Sequence, residues 1–168
     1  MRRALALIAV IVTAILLQST VFSQLRLLGV RPELLYLVTI LIALQEGPNQ
    51  GAIVGFTCGL AQDMLLDQPM GITALTLTLL GYAVGVTSQY IVTQSALVPV
   101  VMVAVGTFVG VLFNRVVALL LGQAEASAYF VVRIALLSAL YNAILTPIFF
   151  PLIRRLTQAS TKQRVVRW

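Results

Sequence analysis

The sequence predicts an all-α membrane protein, a polytopic bundle of about six transmembrane helices. Hydrophobic residues make up 60% of the 168 residues and charged residues only 10%, and the mean hydropathy is +1.03, beyond the range of soluble domains. The apolar runs are longer than strands and show no alternation of period two. Since only helices or a closed barrel satisfy every backbone polar group in lipid, these runs favour helices. Residues 1–168 are therefore predicted to form a single integral membrane domain.

The first three predicted segments cover residues 4–22, 34–46 and 51–66. The first follows a pair of arginines, has an apolar core longer than that of a signal peptide and lacks an A-x-A-like cleavage site, so we interpret it as a retained anchor. The next two are separated by Gly47-Pro48-Asn49-Gln50, which interrupts an apolar run. At 1.5 Å per residue they reach about 20 Å and about 24 Å, less than a hydrocarbon core of about 30 Å. They either cross the membrane together or form a re-entrant hairpin.

Three longer segments follow, at about 71–90, 97–121 and 129–153, and each is long enough to span the membrane. Pro151 is a candidate for the end of the last helix, because proline lacks the N–H that a helix interior needs. A basic tail is predicted at 154–168.

Basic residues predict the orientation of the bundle. Seven of the eleven basic residues lie near the two ends of the chain. These seven are Arg2, Arg3, Arg154, Arg155, Lys162, Arg164 and Arg167. By the positive-inside rule both termini are cytoplasmic, although Arg26 and Arg31 fall in the first outer loop. This orientation requires an even number of crossings, six or, with a re-entrant pair, four. The cations of the tail either contact anionic lipid headgroups or are solvated and fix the topology.

A glycine pattern marks the segment at 51–66. It reads G-x-x-x-G-F-x-x-G-L-x-x-D, from Gly51, Gly55, Phe56, Gly59 and Leu60 to Asp63. Glycines four apart lie on one helix face and form a smooth groove in which another backbone can approach closely. Two interpretations are open, because the helix in this groove belongs either to a partner or to this chain.

Charged residues inside the apolar segments predict a cluster near the outer surface. Asp63, Arg115 and Arg133 are expected at similar depth, with Asp67 just outside. A charge near lipid is costly unless it faces protein, a counterion or water. We favour a structural ion-pair network over a substrate or proton site, which stays the alternative because two cations oppose one deep carboxylate.

The residues usually needed for catalysis or metal binding are scarce. The sequence has no histidine and one cysteine, Cys58, which we interpret as a packing residue. Glu33, Glu46 and Glu125 lie at segment ends, and no phosphate loop or dinucleotide fingerprint is present. We therefore predict no catalytic residues, no cofactor, no metal and no nucleic-acid binding.

The order of these features resembles a known family. Pro32-Glu33-Leu34-Leu35, the glycine pattern at 51–63, Gly71, Gly81-Tyr82 and Gly85 are similar to the bacterial rod shape-determining MreD family over nearly the whole chain. The resemblance implies a multi-pass protein of the cytoplasmic (inner) membrane that binds MreC. It also implies a link from MreB filaments to lateral peptidoglycan synthesis by RodA and its partner penicillin-binding transpeptidase. The implied fold is similar to the S components of energy-coupling-factor transporters.

The sequence thus predicts a non-catalytic membrane scaffold of the cell-elongation machinery, with homo-oligomerisation left open. The alternative is a small-solute, vitamin-like binding subunit of a transporter. S components carry an Ala-x-x-x-Ala spacing in their first helix, and the alanines at positions 4, 6, 9 and 14 do not give that spacing.

Overall fold

A computed structural model describes residues 12–14, 33–65, 71–91, 97–122 and 127–161, and every regular element within these ranges is a helix. Residues 12–14 are helical, and five further helices follow: α1 (Leu34–Glu46), α2 (Pro48–Leu65), α3 (Ile72–Tyr90), α4 (Leu97–Leu120) and α5 (Ala128–Thr161). The all-helical fold class is therefore confirmed over the described ranges. Most of the predicted first segment lies outside them.

Three helices are long and apolar enough to cross a membrane among the described residues. They are α3, α4 and the part of α5 from Ala128 to Arg155. The first helix, α1, is apolar but has only 13 residues. The fold is that of a membrane helix bundle, and the number of six crossings stays a prediction.

The central helix of the described bundle is α1, which packs against α2, α3, α4 and α5. All of its residues from Leu34 to Ala43 are buried, as expected for a helix that is apolar on every side. Around it, α2 packs on α3, α3 on α4 and α4 on α5. The four outer helices therefore form an arc around α1, with α2 and α5 at its two ends.

The bundle has two ends, which we name after residues that lie there. At the Asp63 end, the C-terminus of α2 meets the N-terminus of α3 through hydrogen bonds of Asp63. At the opposite Gly47 end, Gly47 and Pro48 contact Gly85 near the end of α3. The next helix, α4, ends at Leu120 and α5 begins at Ala128, and both of these residues also lie at the Asp63 end.

The break between α1 and α2 is shorter than predicted. Gly47 has φ 87°, a left-handed conformation that costs glycine little, and α2 begins immediately afterwards at Pro48. Proline is well placed in the first turn of a helix, because its missing N–H has no intrahelical partner there. Residues 48–50, predicted as part of the interruption, are thus helical.

The last helix, α5, is longer than predicted. It continues through Pro147 and Pro151 and ends at Thr161, so residues 154–161 of the predicted tail are helical. The two prolines are four residues apart, share one face of the helix and are both exposed. Because their rings face away from the neighbouring helices, they cost α5 backbone hydrogen bonds without disturbing its packing.

Candidate functional site

The glycine groove of α2 is filled by α3. Its three glycines are buried on one face of the helix: Gly51, Gly55 and Gly59. A Cβ atom added to Gly51 would lie 2.5 Å from the carbonyl oxygen of Gly81, and one added to Gly55 would overlap the carbonyl of Leu77. A Cβ on the third glycine would overlap the backbone of Ala74. The two backbones are therefore in direct contact along the groove.

The glycines of α3 complete this contact from the other side. A Cβ on Gly81 would overlap the carbonyl of Gly51, and one on Gly85 would overlap the backbone of Pro48. Of the two interpretations left open by the sequence, the structure has a helix of the same chain in the groove. A partner helix has no room there while α3 stays in place.

The aromatic residue of the pattern lies outside the groove, on the exposed side of α2, about 100° around the helix from Gly55. Phe56 is 50% exposed, and Ile53, three residues before it, and Met64, eight residues after it, are also exposed on this side of the helix. We call these three residues the Phe56 face. Since α2 packs only on α1 and α3 within the described bundle, this face points away from the bundle.

Asp63 caps the N-terminus of α3. Its side chain is only 3% exposed. Its Oδ2 accepts hydrogen bonds from the backbone N–H of Gly71 (2.8 Å) and of Ala74 (3.2 Å), and its Oδ1 accepts one from the N–H of Thr73 (3.3 Å). The first N–H groups of a helix have no intrahelical acceptor, and the helix dipole adds a favourable interaction with the negative charge.

This capping role differs from the predicted ion-pair network. The structure places Arg115 and Arg133 at the same end of the bundle as Asp63, and both arginines are exposed. The hydrogen bonds of Asp63, however, go to backbone N–H groups at the start of α3. Asp67 lies outside the described residues.

Asn142 is a buried polar residue that links three segments of the bundle and that the sequence analysis did not identify. It is fully buried, and its Nδ2 donates hydrogen bonds to the carbonyl oxygen of Glu33 (3.0 Å) and to Oγ1 of Thr107 (3.1 Å). This amide connects α5 to both α1 and α4. An uncharged polar residue in the middle of a long apolar run is the signal that points to it, because such residues pair with protein groups inside membranes.

A second pair of glycines makes room for α1 beside α4. A Cβ on Gly110 would lie 2.6 Å from Cε1 of Tyr36, and one on Gly106 would lie 2.8 Å from Cδ1 of Ile40. These glycines of α4 leave space for large side chains of α1, whereas the glycines of α2 leave space for the backbone of α3. Both kinds of contact hold helices together.

The remaining predicted residues are placed as follows. Cys58 is fully buried in the core. Arg154 and Arg155 are exposed near the C-terminal end of α5, whereas Lys162, Arg164 and Arg167 lie outside the described residues. In the described ranges no group of three or more His, Cys, Asp or Glu side chains is positioned to hold a metal ion.

These features define a helical membrane protein whose polar side chains join and cap its helices. The family model of the rod shape-determining protein MreD matches residues 1–158, and the chain belongs to that family. It is therefore a rod shape-determining membrane protein of a family that is not a known enzyme family. Comparisons with curated proteins and with solved structures found no match. The similarity to S components of energy-coupling-factor transporters stays a prediction.

Proposed function

We propose that this chain is a non-catalytic scaffold subunit of the elongation machinery in the cytoplasmic membrane. In this role it binds MreC and helps to couple MreB filaments to lateral peptidoglycan synthesis by RodA and its partner transpeptidase. The observation that carries the proposal is the match of residues 1–158 to the MreD family. The use of Asp63 and Asn142 for capping and joining helices supports a scaffold.

The Phe56 face is the surface that we propose for MreC. The glycine groove is occupied by α3, so a partner helix needs another surface. The helix α2 lies at one end of the arc and is not among the three helices apolar enough to cross a membrane. Covering such a helix with protein is more favourable than exposing it to lipid, because its polar groups lack partners in hydrocarbon.

A polar side chain on the exposed side of α2 favours the same assignment. The exposed Thr57 directs its hydroxyl back to carbonyls of its own helix. A transmembrane helix of a partner packed here would cover Thr57 and Phe56. Large aromatic side chains at the centre of an interface are frequent sources of binding free energy.

Co-purification of MreC with the tagged chain from native membranes tests this proposal. We expect Phe56→Ala to reduce the recovered MreC about tenfold, equivalent to about 1.4 kcal/mol, with unchanged membrane levels of the chain. The matched control is Phe130→Ala on α5, because Phe130 is 49% exposed and lies on the other end of the arc. We expect this control to retain MreC.

Two results would contradict the proposal at different levels. Failure of the unaltered chain to recover MreC would reject MreC binding itself. Recovery of MreC by Phe56→Ala at the level of the Phe130→Ala control would reject only the Phe56 face as the contact.

We also propose that both termini are cytoplasmic and that the C-terminal end of α5 lies at anionic lipid headgroups. Arg154 and Arg155 are exposed at the Gly47 end, and cations near such headgroups contribute about 1 kcal/mol each. This position would bring the C-terminus close to the membrane surface on the side where MreB filaments assemble.

A further inference from the structure

The helix α1 begins deep inside the bundle. Its first residues, Leu34 and Leu35, are 0% and 1% exposed. The carbonyl of Glu33, just before them, accepts a hydrogen bond from Asn142, which lies about 21 Å along α5 from Ala128. The side chain of Glu33 makes no capping hydrogen bond to α1. A helix N-terminus, with backbone N–H groups that need acceptors, is thus placed at the middle of α5.

Two buried oxygen atoms near this helix N-terminus have no hydrogen-bond partner among the residues that the structure describes. They are Oδ1 of Asn142 and Oγ of Ser138, and both residues are 0% exposed. The orientation of the Asn142 amide is determined, because its Nδ2 donates to two acceptors. Turning the amide over would place Oδ1 against the carbonyl oxygen of Glu33, where both atoms are acceptors.

Ser138 differs from two other buried hydroxyl residues of the bundle, whereas Oγ1 of Thr39 also lacks a hydrogen-bond partner among the described residues. The hydroxyls of Thr76 and Thr146 donate to the carbonyl four residues earlier in their own helices, the usual arrangement for a hydroxyl inside a membrane helix. Oγ of Ser138 has no such bond. Since Ser138 and Asn142 are four residues apart, they lie on the same face of α5, with Cβ atoms roughly 5–6 Å apart.

We propose that an ordered water molecule binds between Ser138 and Asn142, at the buried N-terminal end of α1. Two hydrogen bonds of about 2.8 Å span the separation expected for two oxygen atoms on this face. Water can donate to Oδ1 of Asn142, which is an acceptor only, and exchange a hydrogen bond with the hydroxyl of Ser138. Buried waters characteristically connect polar groups that have no partner within the protein. The water adds a hydrogen bond from Ser138 to the set of hydrogen bonds by which Asn142 connects α5 to α4 and α1.

Water-edited solid-state NMR of the full chain in deuterated lipid bilayers tests the site. We expect magnetisation from water to reach the side chains of Ser138 and Asn142 several-fold faster than it reaches Thr76. Thr76 is the matched control, because it is equally buried and its hydroxyl is bonded within its helix. Transfer to Ser138 and Asn142 as slow as to Thr76 would overturn the proposal, as would a cross-peak to a bound molecule other than water.

The variant Ser138→Ala gives an independent test through the sign of its effect. If water binds, the variant loses one of its partners, so the water signal at Asn142 decreases and the unfolding temperature falls. If the site is dry, the variant removes a buried hydroxyl that has no partner, so the unfolding temperature rises. A rise would overturn the proposal even if NMR signals were broadened. Since alanine is smaller than serine and a good helix former, the variant is expected to fold.

Discussion

A carboxylate inside an apolar chain must be neutral, paired or hydrogen-bonded, and Asp63 is hydrogen-bonded. Its two oxygens accept three backbone N–H groups from Gly71, Thr73 and Ala74. Hydrogen bonds to a charged group contribute about 1.5–3 kcal/mol each, about twice the contribution of neutral ones. The carboxylate therefore holds the C-terminus of α2 against the start of α3.

Replacing Asp63 should destabilise the bundle, and the loss should be larger when the new side chain has fewer hydrogen-bond acceptors. We expect Asp63→Leu to lower the free energy of unfolding by at least about 2 kcal/mol, because three N–H groups lose their acceptor, and Asp63→Asn to lower it by less. Thermal unfolding in detergent micelles measures both. Arg133→Leu is the control, since Arg133 is exposed and the hydrogen bonds of Asp63 go to backbone N–H groups. An equal loss in Arg133→Leu and Asp63→Leu would instead favour the ion-pair network.

At the scale of helices, the contact between α2 and α3 depends on residues without side chains. We expect Gly55→Ala to lower the free energy of unfolding by about 1–3 kcal/mol, because the new Cβ overlaps the carbonyl of Leu77. At an unobstructed helix position the same change stabilises by about 0.5–1 kcal/mol, so the sign of the effect reports the contact. Ala83→Leu, on the exposed face of α3, should leave unfolding unchanged. Stabilisation by Gly55→Ala would contradict the observed packing.

Helix positions were predictable where glycine, proline or charge interrupts an apolar run. The bounds of α1 agree with the prediction, and those of α3 and α4 differ by one residue. The end of α5 was not predictable from its prolines, because their effect depends on which face they occupy. Likewise, the spacing of the glycines predicts a groove, but the helix that fills it depends on residues of α3 such as Ala74 and Leu77, which carry no distinctive signal. The hydrogen-bond partners of Asp63 could not be predicted either, because they depend on where the start of α3 lies relative to the end of α2.

At the scale of the whole molecule, the helix with low hydropathy, α2, lies at the end of the arc of described helices around α1. Among these helices α2 packs only on α1 and α3. The central α1, buried on every side, cannot contact a partner. Association with other subunits is therefore expected at the outward faces of the outer helices, and the composition of α2 makes its face the best suited to protein contact.

The alternating directions of α3, α4 and α5 make the orientation of the bundle testable with single cysteines. The residues are Gln89, exposed at the Gly47 end, and Ser127, exposed at the Asp63 end. In a Cys58→Ala background, we expect Ser127→Cys to react with a membrane-impermeant maleimide in sealed right-side-out vesicles. Gln89→Cys should react only after permeabilisation, because the basic C-terminal end of α5 places the Gly47 end in the cytoplasm. The reverse pattern would contradict cytoplasmic termini, and labelling of both residues in sealed vesicles would contradict the alternating crossings.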